Sequence, residues 1–137
     1  CDWSSDVCSS DLGQHLWYSL PSGRVLCYPF ARFENDEITY AKASWKPAAD
    51  AKEWPRARLW RGLACENVTQ AVAHDLLREA IRQFDNVVLH IHDEIVLESD
   101  NPQEDKIKLE HVMKTPPAWA DGLPLDVEAT VMARYGK

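Results

Sequence analysis

From Glu66 to Phe84 an apolar side chain returns every fourth residue, at Val68, Val72, Leu76, Ala80 and Phe84, and Ala73, Leu77 and Ile81 widen the stripe. That spacing predicts a helix with one face bound for a core. Gln70, His74, Arg78 and Arg82 recur at the same interval on the opposite face and form a polar, partly basic ridge. Directly after the turn-forming pair Asp85-Asn86 come two apolar runs too short for helices, Val87–Ile91 and Ile95–Leu97. Only His92, Asp93 and Glu94 lie between them. The two runs are expected to pair as a hairpin with the His-Asp-Glu triplet at or near its tip.

The remaining elements are shorter. His15 to Tyr28 reads as a hairpin around Pro21-Ser22-Gly23, where Gly supplies the positive φ of the turn. Glu37 to Ala41 reads as a third strand, and Ser44 to Pro55, with irregular Trp and Pro, as a surface connection. Asp100-Asn101-Pro102 opens a second helix carrying Ile107, Leu109, Val112 and Met113, which Thr115-Pro116-Pro117 closes. Leu125 to Tyr135 alternates as a final strand would, with Leu125, Val127, Ala129, Val131 and Ala133 on one side. The order implies an α+β fold, an antiparallel sheet with helices packed on one face.

At 137 residues, one compact domain is expected. Acidic residues outnumber basic ones 22 to 15, which argues against unaided binding to nucleic acid and confines any DNA contact to a local patch. Cys27 and Cys65 are expected as buried free thiols, in keeping with a reducing cytoplasm, and no apolar run is long enough to span a membrane. Residues 1–12, with their near-repeat of Ser-Ser-Asp, lack any periodicity and resemble a translated sequencing adapter. They are set aside as artefact or disordered, and the chain from Gly13 is expected to be a piece of a longer protein.

Two adjacent carboxylates between apolar strands are costly unless solvated or coordinating something. Asp93 and Glu94 offer the hard oxygen ligands that Mg²⁺ takes, commonly one or two carboxylates together with phosphate oxygens. An Asp serving only as a turn residue, with a solvent-facing Glu beside it, is the competing account. A metal-dependent hydrolase built on His90, His92, Asp93 and Glu94 would need further ligands, and the candidates His74 and His111 stand at no recognisable spacing.

Four segments in one order carry a more specific resemblance. Leu89-His90-Ile91-His92-Asp93-Glu94-Ile95-Val96 resembles motif C of the family A DNA polymerases. Glu66-Asn67-Val68-Thr69-Gln70-Ala71 resembles the palm helix of that family's phage branch. Leu20-Pro21-Ser22-Gly23-Arg24 is similar to the Gly-Arg hairpin preceding that helix, and Thr115-Pro116-Pro117-Ala118-Trp119 with Gly122-Leu123-Pro124-Leu125 is similar to the closing segment of the phage members. The segment Trp60-Arg61-Gly62-Leu63 departs from the Tyr-Gly-Gly-Lys of relatives, so no Lys contact carries over there.

The resemblance implies a palm-type sheet. Residues 13–62 would form the hairpin and connection between fingers and palm, and residues 63–137 the palm with motif C and the C-terminal segment. It implies template-directed nucleotidyl transfer with two Mg²⁺ ions, and primer-template DNA and deoxynucleoside triphosphates as partners of the complete enzyme. Asp93 would be one of two essential carboxylate ligands. Glu94 would either bind metal through water or position the primer end, and His92 would support the primer terminus or simply pack the turn. Gln70 would read the minor-groove edge, where shape matters more than base identity. Asn67 fits the phage pattern of a DNA contact, His74 with Arg78 and Arg82 would either reach DNA along the ridge or be simply solvated, and Arg24 would touch the template or stabilise its own turn. The family's first catalytic Asp and its nucleotide-binding helix have no counterpart before Asp93, so this chain alone is expected to be inactive. The alternative is a non-catalytic DNA-binding or inert remnant of a prophage polymerase.

Overall fold

The computed structural model describes residues 15–43 and 54–136, so the connection expected from Ser44 to Pro55 lies mostly outside the described residues, as do Cys1 and Cys8. Among the described residues the secondary structure is α+β, with antiparallel strands and two α-helices. The described strands divide into three small ladders instead of one continuous sheet. The chain forms two compact units, one ending at Gln70 and the other beginning at Ala71, within the longer helix.

In the first unit, β1 (His15–Ser19) and β2 (Val25–Pro29) pair as the expected hairpin. Gly23 holds φ at +82°, and its N–H donates to the Leu20 carbonyl at 2.9 Å while the Leu20 N–H donates to the Arg24 carbonyl at 2.7 Å. The expected strand at Glu37 to Ala41 is present as β4 (Glu37–Ala41). It pairs with two short strands not foreseen, β3 (Arg32–Glu34) and β5 (Arg56–Arg58). Arg56 secures this ladder through its guanidinium, which donates to the Thr39 hydroxyl at 2.7 Å and to the Phe30 carbonyl at 3.0 Å. Leu20, Tyr28, Tyr40 and Ala41 are buried, with the two tyrosine rings edge to face at 5.2 Å.

The long helix α1 (Arg61–Ile81) begins five residues before the expected Glu66 and ends three before Phe84. Its start is set where the Ala64 N–H reaches back to the Trp60 carbonyl, which draws Arg61-Gly62-Leu63 into the first turn. Gly62 lies against the edge of the exposed Trp60 ring, which a Cβ there would push aside. Cys65 therefore lies inside the helix and not before it. Both Cys65 and Cys27 are exposed free thiols, correcting the expectation of burial. Cys27 sits on the outward side of a strand whose alternate residues face in, and Cys65 on the outward side of α1.

In the second unit, α1 buries Ala71, Leu77 and Ala80, with Phe84 just beyond its end, while Ala73 faces solvent. Asp75 is fully buried, which the periodicity did not suggest. The hairpin after α1 consists of β6 (Val87–Ile91) and β7 (Glu94–Leu97), with one extra residue, Val88, bulged out between the pairs Val87 to Leu97 and Leu89 to Val96. The second helix, α2 (Pro102–Lys114), follows expectation, with Pro102 in the first turn, Glu104 and Asp105 near its N-terminus and His111 and Lys114 near its C-terminus. Ile107 on α2 is exposed and Leu109 is buried. The Lys108 ammonium lies 5.0 Å above the Phe84 ring.

Asn86 joins the hairpin to α2. Its side-chain amide donates to the Glu98 carbonyl at 2.8 Å and to Asp105 Oδ2 at 3.2 Å, while its own carbonyl accepts from the Glu98 N–H at 3.1 Å. This residue was read from sequence only as a turn former.

Leu125 to Tyr135 does not form the expected final strand. Leu125, Val127 and Ala129 alternate inward as a strand would, but the backbone bonds to side chains instead of to a ladder. The Ala129 N–H donates to Glu110 Oε1 at 3.1 Å, and the Val127 N–H to Asp126 Oδ1 at 3.0 Å. Lys114 Nζ stands 2.9 Å from Asp126 Oδ1 and ties the segment to the end of α2.

Two predictions follow from these ties. Asn86→Ala removes two side-chain hydrogen bonds and should lower the unfolding free energy by roughly 1–3 kcal/mol, with faster amide exchange in β6 and β7; chemical denaturation and hydrogen exchange check it. The Lys114 hydrogen bond, aided by the Val127 N–H, holds the Asp126 carboxyl below its ordinary range, and the same bond holds the Lys114 ammonium above its own. The tie is therefore complete above the ordinary aspartate range and lost as pH falls through the lowered Asp126 value; on the alkaline side it is lost only as pH rises through the raised Lys114 value. Both groups are open to water, so its contribution is small and shrinks with salt. Backbone NMR relaxation of residues 125–129 should report loosening at acid pH and none across neutrality.

Candidate functional site

The His-Asp-Glu triplet occupies the tip of the β6–β7 hairpin, as its position between two apolar runs implied. Ile91 pairs with Glu94, leaving His92 and Asp93 as a two-residue loop and Glu94 as the first residue of β7. His92 has φ of +52°, and Asp93 does not share the positive sign, which is the sign pattern of a type II′ turn. Glycine is the usual occupant of that first position. Placing a side chain there costs about 1–2 kcal/mol.

His92 and Asp93 are exposed and Glu94 is half-buried. The carboxylates are therefore solvated, and the cost of burying charge is not what constrains them. The neighbouring strand is not buried either, since Val88, Leu89 and Ile91 of β6 are all exposed. The Glu94 carboxylate is engaged across the second unit: the Tyr135 hydroxyl donates to Glu94 Oε2 at 3.0 Å, spanning 41 positions of sequence. Tyr135 was read only as the end of a strand, and nothing in its local pattern marked it. Asp93, Glu94, Arg134 and Tyr135 line one open cleft that continues along β7 toward Leu109 and Met113 of α2.

Asp93 and Glu94 present oxygen donors of the kind Mg²⁺ accepts, in a position open to phosphate and water. Among the described residues no group of three His, Cys, Asp or Glu side chains could enclose a metal ion. The donor type fits and the donor number is partial, so further ligands would have to come from water, phosphate oxygens or other protein groups.

The other expected residues fall in different places. Arg24 closes the β1–β2 turn through its backbone, which accepts from Leu20, and its N–H lies 3.4 Å from the Ser22 hydroxyl. Asn67 is half-buried and donates to the Tyr28 hydroxyl at 3.1 Å, inside the first unit. Gln70 is exposed on α1 with its amide 3.2 Å from Glu66 Oε1. His74 is exposed in the second unit, 4.0 Å from the buried Asp75. The basic ridge is largely matched by acid: Arg78 lies 3.9 Å from Asp75 and 3.8 Å from Glu79, and Arg82 lies 3.4 Å from Glu79. The structure thus gathers His92, Asp93 and Glu94 at one tip, adds Tyr135, and leaves Arg24, Asn67 and Gln70 in the first unit.

An α+β chain with a solvated carboxylate pair on a tight two-residue hairpin describes a broad class of proteins. A particular likeness narrows that class. The chain is 35% identical over 127 residues to the DNA polymerase of Bacillus phage SP02, a match covering 89% of this chain and 20% of that polymerase. It spans about a fifth of the length of the relative it matches. No family model and no solved structure matches the chain. No helix among the described residues is long and apolar enough to cross a membrane.

The backbone of His92 yields a prediction. His92→Gly relieves the left-handed strain but adds unfolded-chain freedom, so stability should hold or rise by up to about 1 kcal/mol. His92→Val should lower it by about 1–2 kcal/mol. Denaturant unfolding of both variants is the check, and a Gly variant markedly less stable than the parent would contradict the strained turn.

Proposed function

We propose that this chain is the C-terminal palm segment of a phage-type family A DNA-directed DNA polymerase, contributing to template-directed nucleotidyl transfer in the complete enzyme. The observation that carries this reading is Asp93, an exposed carboxylate on a two-residue hairpin, within a chain that aligns over most of its length with a phage DNA polymerase. Residues 63–137 form the palm part on this reading, and residues 13–62 the link from the fingers.

Asp93 is a direct Mg²⁺ ligand on this reading, and Glu94 either a second, water-mediated one or a support for the primer end. Bound there with a second ion, Mg²⁺ would activate the primer 3′-hydroxyl and neutralise the departing pyrophosphate. The chain's own contribution is positional. A hairpin tip closed in two residues holds the Asp93 carboxylate at a fixed height above the ladder, accessible to a phosphate from the solvent side. His92 stands beside it and is suited to the primer terminus. Gln70 projects from α1 with an amide that can donate to minor-groove acceptors, which every base pair presents. The surplus of acid over base, 22 to 15, leaves most of the duplex affinity to other parts of the polymerase.

In a full-length polymerase carrying this segment, Asp93→Ala should cut primer extension by orders of magnitude while duplex affinity changes only a few-fold. Gel-based single-turnover extension alongside a binding titration measures both quantities. Near-normal turnover in the variant would remove Asp93 from the metal site and with it the polymerase reading of the hairpin.

A further inference from the structure

We propose that Tyr135 is a positioning residue for the hairpin site: its hydroxyl holds the Glu94 carboxylate in one orientation beside Asp93. The proposal rests on the metal-binding reading of the hairpin and extends it to a residue 41 positions downstream.

The ladder pairing of Glu94 with Ile91 fixes the Glu94 backbone, and the direction of its long side chain is set by what bonds its carboxylate. Tyr135 supplies one such bond. Its hydroxyl lies 3.0 Å from Glu94 Oε2, within the range of an O–H to carboxylate bond. A tyrosine has only two side-chain torsions to fix, so it orders a partner at low entropic cost. Further upstream the segment meets α2, where the Ala129 N–H donates to Glu110 Oε1 at 3.1 Å and the exposed Asp126 side chain lies 2.9 Å from Lys114 Nζ.

The chemistry suits a supporting role. A carboxylate that accepts one hydroxyl keeps its charge and further lone pairs, so the bond orients Glu94 without consuming its capacity as a ligand. Groups that hydrogen-bond a metal-ligating side chain and so fix its direction commonly change affinity by 10–100-fold when removed. At a tip this open, a loss of about three- to tenfold is expected.

The test uses the 137-residue chain with Mn²⁺ as the probe, followed by paramagnetic broadening of the Asp93 and Glu94 signals, together with the three-bond couplings that report the Glu94 χ1 rotamer. Tyr135→Phe should weaken Mn²⁺ binding at the hairpin about three- to tenfold and shift the Glu94 couplings toward rotamer averaging, with the unfolding midpoint nearly unchanged. In a Glu94→Ala background the same change should have no further effect on Mn²⁺ binding. Glu94 couplings unaltered by Tyr135→Phe would overturn the proposal, as would Mn²⁺ affinity that is equal or tighter in the variant. Should Mn²⁺ leave the hairpin signals of the parent chain untouched, the positioning of Glu94 beside a metal falls, and Glu94 couplings that still respond to Tyr135→Phe would identify the contact as packing alone; the metal reading itself stands or falls by the Asp93→Ala extension assay in the full-length polymerase, so the two failures are told apart.

Discussion

Closing β6 onto β7 in two residues is the constraint on which the rest of the candidate site depends. It requires a left-handed backbone at His92, and it decides that Asp93 stands in the loop while Glu94 begins the returning strand. One more residue in the connection would exchange the sides of every residue on β7 relative to β6, because side chains alternate along a strand. The strain at His92 therefore has a counterpart in register. Asn86 holds the other end of the same hairpin by joining its base to Glu98 and α2, so the strands are fixed at both ends by different chemistry.

Much of this was legible because it rests on local rules. The four-residue period found α1, Pro102 found the start of α2, and Gly23 found the first turn, each through a backbone preference that acts within a few residues. The hairpin at the triplet was legible for the same reason. The early start of α1 was not, because it rests on the Ala64 N–H reaching the Trp60 carbonyl, a backbone bond that periodicity does not register. Alternation from Leu125 onward predicted the facing correctly as far as Ala129, wrongly at Val131 and Ala133, which are exposed, and wrongly in its bonding throughout. Alternation reports which side chains are covered, whereas a strand also needs a partner backbone, and here Glu110 and Asp126 take that place.

The site divides along the same line. His92, Asp93 and Glu94 were found together because they are contiguous. Tyr135 was missed because its partner is 41 residues away and the pairing leaves no periodic trace. The ridge on α1 shows what spacing leaves out: Arg78 and Arg82 are regular in sequence, and Glu79 and the buried Asp75 stand close enough to offset them. Spacing identifies which residues share a face, and charge balance on that face depends on neighbours that the spacing leaves out. On the proposed polymerase reading, α1 would meet DNA through neutral donors such as Gln70 more than through net positive charge.

The extra residue at Val88 bears on a different matter. A straight strand with exposed Val88, Leu89 and Ile91 would offer a regular row of backbone groups on which a second chain could align and stick. The bulge breaks the even spacing of that row and adds local twist, so an approaching strand loses its match after a residue or two. A surface greasy enough to invite stacking is thereby made a poor template for it.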